Sequence, residues 1–426
     1  MTARSSIPVL LLTTMGCSGD SAPSSARQVS GAELGGPDVP LTAETEELFL
    51  LGGASAATEW EAFTAISEVH FDQNGNLLLL DRRQNRVVVV GPDGRFRHQV
   101  SRAGQGPGEL RLAVGVAPLH SNRVLVRDVG HNALFLFDEG GRFLSQEVAI
   151  QEPPSRIEGQ GIISSSQNVP ILLDVFPDDR LLIARRLGDR ALDIHTIGQG
   201  SREVYQAYTP PPAETGDGEN VSIRVGDMEV PIPLGIIPRR TVFGPPLLGA
   251  VLADGGIAVV DSVGYQIKIL RSDDGSVRTV LERAIQPLPV TEEMREAARE
   301  REGAGGGTRV IASGPGVSAT DAEALSTTLT QSMVPEMAFA SELPVISDLN
   351  VDHESRIWVS RSGDDGVSPG PVDVLTQSGG YLGTLSADEF QVPDAFGPNG
   401  LMAYVDLDEF EVPILRVVRL VSLTNR

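Results

Sequence analysis

An internal repeat constrains the fold of this chain more than any other feature of its sequence. Residues 67–96 and 114–143 align without a gap at a constant offset of 47. The two copies share residues at matched positions: Asp81 and Asp128, Asn85 and Asn132, Gly94 and Gly141, Arg95 and Arg142, and Phe96 and Phe143. Each copy holds three short apolar runs separated by turn residues, and a fourth run follows at "HQVS" or "QEVAI". Four antiparallel strands in a repeat of this length are typical of one β-propeller blade.

Weaker copies of the pattern predict how many blades the chain forms. The order apolar strand, polar turn, apolar strand returns at residues 171–187, 249–277, 346–385 and 400–423. The last copy lacks an outer strand, whereas residues 48–51 form a strand without a blade. We therefore predict an all-β chain, a six-bladed β-propeller with a small helical insertion, in which residues 48–51 complete the last blade. Closing the ring in this way removes exposed sheet edges.

The glycine-rich stretch "SRAGQGPGELR" (101–111) lies between the two clearest copies. Gly104, Gly106 and Gly108 permit tight backbone turns, so we predict that this stretch crosses from the outer strand of one blade to the inner strand of the next. A phosphate-binding loop is the rival interpretation. It is disfavoured because neither a Lys-Ser/Thr pair nor a helical pattern follows.

This part of the sequence also resembles a known class. The run "GQGPGEL", the turn from Asp128 to Asn132 and the strand "FLFDEGGRFL" together resemble the NHL-repeat propellers. The ending "VPILRVVRL" is similar to the tail of six-bladed propeller lipoproteins of environmental bacteria. The resemblance covers residues 47–420 and implies the architecture and export of the protein. It supplies no catalytic residues.

Two insertions interrupt the repeat within the predicted propeller domain, residues 46–426. Residues 209–246 contain a predicted β-hairpin. Residues 291–332 hold the helical pattern, with Thr291 as the cap of a first helix and Thr320 as the cap of a second. A long elaboration on a regular ring is a place where function tends to reside, for example as a lid. A decorated loop without a role is the alternative.

The first residues predict export to the bacterial cell envelope. Residues 1–17 resemble a lipoprotein signal peptide, because a short apolar segment leads to "TTMGCSG" and to Cys17, the single cysteine of the chain. Thr14 departs from the usual cleavage box, so an ordinary secretory signal is the alternative. Residues 18–45 are small, polar and aperiodic, which predicts a flexible tether. We expect a protein held at a membrane, on its periplasmic or outer surface, by a lipid on Cys17 alone.

Charge limits the classes of partner. The formal net charge is −23 and the pI is near 4.6, which excludes nucleic acid because a polyanion would be repelled. The remaining partners are an envelope protein, a peptide or a glycan.

The predicted ring places one set of polar residues on the face that carries the turns between second and third strands and the crossings between blades. These candidate ligand-binding residues are Arg82, Arg83, Asn85, Arg102, Asp128, His131, Asn132, Arg185, Arg186, Asp261, Tyr265 and Arg361. The arginines on so acidic a protein suggest a channel mouth that attracts an anion, since guanidinium pairs with carboxylate or phosphate. Alternatively, the aspartates and asparagines bind the amides of their own turns, and the arginines pair with those aspartates.

Catalytic signals are weaker. Propeller lactonases that resemble gluconolactonases hold a central cation, and five carboxylates are candidate ligands for a calcium-type ion: Glu68, Asp81, Asp128, Asp261 and Asp348. The six histidines do not recur at one position of the repeat as the alignment places them, which disfavours a zinc site.

We therefore predict a non-catalytic binding scaffold for a protein, peptide or glycan in the cell envelope, with no cofactor. The alternative is a metal-dependent hydrolase or lactonase with Ca²⁺ in the central channel. A cation held by oxygen ligands from several blades would distinguish the enzyme from the scaffold.

Overall fold

The computed structural model describes residues 30–148, 155–157, 161–165, 171–185, 190–208, 220–225, 228–233, 241–301, 310–313 and 337–425. Within these residues the chain is nearly all β, with one α-helix, α1 (Glu292–Arg301). Six four-stranded antiparallel units surround a central axis, which confirms the predicted six-bladed propeller. We number the blades I to VI along the chain and give the strands of each blade from the axis outward.

The first three blades follow one another in sequence. Blade I contains β3 (Ile66–Phe71), β4 (Leu77–Asp81), β5 (Arg86–Val90) and β6 (Phe96–Val100). Blade II contains β7 (Ala113–Pro118), β8 (Val124–Asp128), β9 (Ala133–Phe137) and β10 (Phe143–Val148). Blade III contains β13 (Ile171–Val175), β14 (Leu181–Arg185), β15 (Ala191–Thr196) and β16 (Gly200–Gln206).

The remaining blades complete the circle. Blade IV contains β19 (Leu248–Val251), β20 (Ile257–Val260), β21 (Gln266–Leu270) and β22 (Val277–Glu282). Blade V contains β26 (Ile346–Val351), β27 (Ile357–Ser362), β28 (Pro369–Leu375) and β29 (Tyr381–Leu385). Blade VI contains β30 (Ala395–Phe396), β31 (Leu401–Leu407), β32 (Pro413–Asn425) and, as its outer strand, β2 (Leu41–Gly52).

The beginning of the described chain is integrated into the ring more fully than the sequence predicts. β2 pairs with β32 from Leu41 to Gly52, so the closing strand is longer than residues 48–51. β1 (Ser30–Glu33) pairs in parallel with β22 of blade IV. The tether predicted over residues 18–45 is therefore corrected from residue 30 onward. Its composition is small and polar, and the partners that order it lie hundreds of residues away in sequence.

Burial on both faces of each sheet explains the sequence of the second and third strands of blade I. "LLLL" of β4 and "VVVV" of β5 are continuous apolar runs instead of alternating ones, because each blade packs against a neighbour on either side. Asn85 and Asn132 adopt left-handed φ values of 47° and 51° at the turns that follow. Asn tolerates that conformation better than most residues, which accounts for its return at the 47-residue offset.

The crossing from blade I to blade II runs through the glycine-rich stretch, as its place between β6 and β7 shows. Gly108 has a φ of 77°, and a Cβ at this position would lie 2.7 Å from the Cβ of Phe143. Glycine is required there by the backbone conformation and by the close approach of blade II.

Three small sheets are formed by segments that lie between the strands of the six blades in sequence. β17 (Asn220–Val225) and β18 (Met228–Pro233) form a hairpin, and β11 (Ser155–Ile157), β12 (Gly161–Ser165) and β24 (Val310–Ser313) form a three-stranded sheet. β23 (Leu288–Pro289) pairs with β25 (Glu342–Leu343).

The helix between these strands begins where the sequence predicts it. The Thr291 hydroxyl accepts a hydrogen bond from the Met294 N–H at 3.3 Å and so caps α1. The second predicted helix, at Thr320, lies outside the described residues.

Candidate ligand-binding channel

The inner strands of all six blades surround a cavity of about 700 Å³ on the axis of the ring. Its lining includes the turns between first and second strands in five blades, and from the crossings between blades it includes Asp394, which directly precedes β30. The cavity therefore lies toward the face that carries these first turns, which we call the funnel face. We call the opposite face, with the second turns and the crossings, the crossing face.

The polar lining of the cavity is acidic. It contains five carboxyl and three imidazole side chains: Glu68, Asp72, Asp174, Asp352, Asp394, His70, His120 and His353. A concave site lined by carboxylates concentrates a negative potential and attracts cations. Of all the site residues predicted from the sequence, only Glu68 lies in this lining.

Glu68 connects blade I to blade II. Its Oε2 accepts a hydrogen bond from the Val116 N–H at 2.9 Å and lies 3.8 Å from the His70 Nε2. Burial lowers the pKa of Arg127 in β8 to about 10, and the negative charge of Glu68 acts against this shift. Glu68 is thus held in place by a backbone amide of the neighbouring blade, with a histidine and an arginine nearby.

Asp174 joins blade III to blade IV in the same manner. Its carboxylate accepts hydrogen bonds at 2.7 Å from the N–H groups of Val175 and Val251. Burial raises the pKa of Asp174, although these two bonds and the charges of His70 and His120 oppose the shift. The ionised form of Asp174 has therefore lost hydration, and a cationic ligand could compensate for that loss.

Asp394 provides a third fixed carboxyl, from blade VI. Its Oδ2 accepts a hydrogen bond from the Val405 N–H at 2.7 Å. Burial raises the pKa of Asp394, and the nearby charge of Asp406 raises it further. Two carboxyls of the cavity are therefore more basic than free aspartate.

Histidines lie at the mouth of the funnel face. His120 and His353 both lie four residues before the second strand of their blades, which begin at Val124 and Ile357. The expectation that no histidine recurs at one repeat position is thus wrong, and alignment on the second strand was the signal that could have revealed it. Desolvation lowers the pKa of His353 despite acidic neighbours, which favours its neutral form.

The predicted residues on the crossing face serve mainly to hold the backbone. Asp128 is fully buried and accepts hydrogen bonds from the N–H groups of Arg111, Leu112 and His131 at 2.7, 3.0 and 2.8 Å. His131 also places its Nδ1 3.2 Å from the Asp128 Oδ1. The carboxylate therefore lies between the His131 ring and the loop that contains Arg111 and Leu112. The turn-binding alternative therefore describes this aspartate.

The matching residues of blade I are used in the same way. Asp81 is fully buried and accepts from the N–H groups of Thr64 and Ala65 at 3.2 Å. The Asn85 Oδ1 accepts from the Ala113 N–H at 3.1 Å. Asn132 takes the conformation of Asn85 one blade later. These side chains join each crossing to its blade.

Three of the six arginines of the predicted channel mouth are paired with carboxylates. Salt bridges join Arg102 to Glu109, Arg185 to Asp193 and Glu203, and Arg361 to Asp38. Arg82 and Arg83 lie in the second turn of blade I, and Arg83 is exposed. Arg186 and Cys17 lie outside the described residues.

Tyr265 is a correction to the predicted mouth. Its side chain is 3% exposed and packs in the apolar core shared by blades IV and V. The position of Tyr265 in the turn after β20 predicts an exposed side chain. Packing between blades IV and V buries the ring instead.

The five carboxylates of the metal hypothesis do not converge. Asp261 binds the Lys268 Nζ at 2.7 Å and the Tyr205 hydroxyl at 2.8 Å on the crossing face, while Asp348 is exposed and accepts from the Asn350 amide at 2.8 Å. Asp81 and Asp128 accept hydrogen bonds from backbone amides. Of the five predicted carboxylates, Glu68 is the one that lines the cavity. Among the residues that the structure describes, no three His, Cys, Asp or Glu side chains are grouped to hold a metal ion.

Comparison with known proteins adds no family. No family model matches the chain, and no curated protein matches it. A Bacteroides fragilis protein regarded as exported is 11% identical with a TM-score of 0.48, over 93% of this chain and 100% of that one. A DUF4221 family member from Bacteroides vulgatus is 10% identical with a TM-score of 0.46, over 91% and 99%. Virginiamycin B lyase from Staphylococcus aureus is 9% identical with a TM-score of 0.38, over 89% and 100%. Likeness of this extent assigns no activity, and the six-bladed fold stands on the strand order of the chain itself.

Proposed function

We propose that this protein is exported and that its channel is a non-catalytic binding site, which holds a cationic group of a protein or peptide partner. The observation that supports this proposal is the set of carboxyls at Glu68, Asp174 and Asp394, fixed by backbone amides in a cavity of about 700 Å³. Cavities of this size fit a single large side chain or a small ligand.

The charge and rigidity of these groups favour a cation. Each carboxylate already has its orientation set by a backbone N–H, so binding costs little reorganisation. An ammonium or guanidinium group supplies the hydrogen bonds that the free lone pairs of a carboxylate accept. A neutral glycan would make no use of this charge, so a protein or peptide fits the cavity better than a glycan does.

Export and anchoring are part of the proposal. They rest on the signal-like residues 1–17 and on Cys17. No helix in the described part of the chain is long and apolar enough to cross a membrane. Loss of the protein from the membrane fraction in Cys17→Ala would support a lipid anchor, and its retention would contradict one.

The binding proposal is tested with simple charged peptides. Calorimetric titration of the protein from Ser18 onward should detect hexa-arginine and not hexa-glutamate. The double variant Glu68→Gln/Asp174→Asn should weaken hexa-arginine binding at least tenfold, because both charges are within the cavity. Glu409→Gln, an exposed carboxylate outside the lining, is the matched control.

Two results would contradict the channel as the site. One is an equal loss of binding free energy per removed charge in the double variant and in Glu409→Gln, which would mean that hexa-arginine senses only the net charge of −23. The other is equal binding of both peptides. A thermal melt of each variant establishes that it is folded before it is titrated.

A further inference from the structure

A chain of three hydrogen-bonding side chains lies away from the channel, where the outer strands of blades II and III meet. His195 of β15 has a side chain that is 4% exposed. Its Nδ1 lies 2.9 Å from the Ser201 Oγ of β16, and its Nε2 lies 2.6 Å from the Glu147 Oε1 of β10. Ser201 and His195 are directly opposite each other in the strand pairing.

The carboxylate determines which nitrogen carries the proton. An ionised Glu147 can only accept, so the Nε2 of His195 must donate to it. In the neutral imidazole the Nδ1 is then an acceptor, and the Ser201 hydroxyl donates to it. Serine to histidine to carboxylate is the direction of hydrogen bonding that activates a serine nucleophile.

The orienting carboxylate is itself held in place. The second oxygen of Glu147 accepts a hydrogen bond from the Gly198 N–H at 2.6 Å. That amide belongs to the turn between β15 and β16, so the turn that positions Ser201 also positions Glu147. Nucleophile, base and orienting group are therefore fixed relative to one another.

The serine is accessible, whereas the base is not. Ser201 is exposed and lies on the outermost strand of blade III. A Cβ placed at Gly198 or Gly200 would meet no atom within 4 Å, so the space beside the turn is open. A molecule can reach the hydroxyl from solvent, and at the Ser201 Oγ it comes beside the His195 Nδ1, which lies 2.9 Å from that oxygen.

We propose that Ser201 is a nucleophile for acyl transfer, with His195 as its general base and Glu147 as the positioning residue, at a site that the channel does not use. The Ser201 Oγ attacks the carbonyl carbon of an activated ester while the His195 Nδ1 takes the hydroxyl proton. The carbon–oxygen bond to the leaving alcohol breaks, and His195 returns the proton to that alcohol. Water, deprotonated by His195, then releases the acid and restores the serine.

A fluorophosphonate probe tests the nucleophile directly. The Ser201 Oγ forms a bond to phosphorus, fluoride leaves and His195 takes the proton. Peptide mapping by mass spectrometry should find the adduct on Ser201 at least 100-fold faster than on Ser145. Ser145 is an exposed serine on the outermost strand of blade II, and no histidine contact is seen for it among the described residues.

The variants separate activation from structure. His195→Gln should slow labelling of Ser201 at least 100-fold, and Glu147→Gln about tenfold, while 4-nitrophenyl acetate hydrolysis falls in parallel and disappears in Ser201→Ala. Labelling of Ser201 no faster than of Ser145 would overturn the proposal and leave the three residues as a link between blades. If His195→Gln does not fold, Glu147→Gln decides: an unchanged labelling rate at Ser201 in that variant would also overturn the proposal.

Discussion

The crossing face and the channel of the ring use the aspartate side chain for different purposes. On the crossing face Asp81 and Asp128 are fully buried, and backbone amides of the crossing surround their oxygens. In the channel, Asp174 and Asp394 also accept hydrogen bonds from backbone amides, yet they line an open cavity. What differs is whether the chain closes over the carboxylate.

Internal recurrence follows this division. Aspartate ends or directly follows the second strand in blades I, II and IV, at Asp81, Asp128 and Asp261. The inner-strand position that pairs with the second residue of each second strand changes in kind around the channel: His70, Ala117, Asp174, Ala250, Asn350 and Phe396. The aspartate repeats in these three blades because its carboxylate serves the same local purpose in each. The channel lining is free to vary because no strand pairing depends on it.

The largest effect is expected at Asp128. Asp128→Ala leaves three backbone N–H groups unpaired beneath a closed loop, so the free energy of unfolding should fall by about 3 kcal/mol. Asp174→Ala leaves two backbone N–H groups without their acceptor, but it also removes a desolvated carboxylate. Its loss of unfolding free energy should therefore be less than half as large. Urea denaturation of both variants measures the difference, and equal losses would remove the distinction between the faces.

A smaller effect is expected where Asp38 joins the crossing face. Asp38 lies 2.8 Å from Arg283 and 2.6 Å from Arg361, and Arg283 retains Asp373 when Asp38 is replaced. Because Asp38 is 44% exposed, solvent screens its charge, and Asp38→Ala should cost about 1 kcal/mol.

The pH dependence of the Asp38 contribution has a definite sign. Burial opposes the shift, yet hydrogen bonds from Arg361 and Arg283 lower the pKa of Asp38 below its usual 3.8. Its contribution is therefore present above pH 3.8 and lost as pH falls through the lowered value. The stability gap between the natural protein and Asp38→Ala should close in acid, and a gap that persists there would assign the effect to packing.

The smallest effect is expected for Asp174→Asn, and its direction is opposite. Because burial raises the pKa of Asp174 above 3.8, the unfolded chain ionises first as pH rises, and the natural protein loses stability through this window. The amide variant lacks that loss. The difference in free energy of unfolding should shift in favour of the variant as pH rises above 3.8. A shift in favour of the natural protein would place a stabilising cation-like partner beside Asp174.

The sequence predicted the ring but directed its candidate residues away from the cavity, for one reason. Repetition at 47 residues identifies the blades. The same repetition marks Asp81, Asp128 and the asparagines that follow them as candidate site residues. Those residues recur because their turns require them, so they lie on the crossing face. The cavity is built from positions without a common residue, such as Asp174 and Asp394, and only the assembled ring brings them together.

Contacts between distant segments were also beyond the reach of local patterns. Glu147, His195 and Ser201 come from two blades, and no short motif contains them. The parallel pairing of β1 with β22 joins residues that are some 250 positions apart, in a stretch whose composition alone predicts a tether. Proximity of this kind follows from topology and not from spacing.

The pairing of β2 with β32 also has a consequence in time. β2 is made early in synthesis and meets its partner only when residues 413–425 have been made, on the order of tens of seconds later at ordinary rates of synthesis. Throughout that interval β2 is an unpaired edge. Its exposed middle, "ETEE" at residues 44–47, carries three glutamates, and charge on a strand edge discourages pairing with other chains. The strand remains hydrated until the ring that it closes exists.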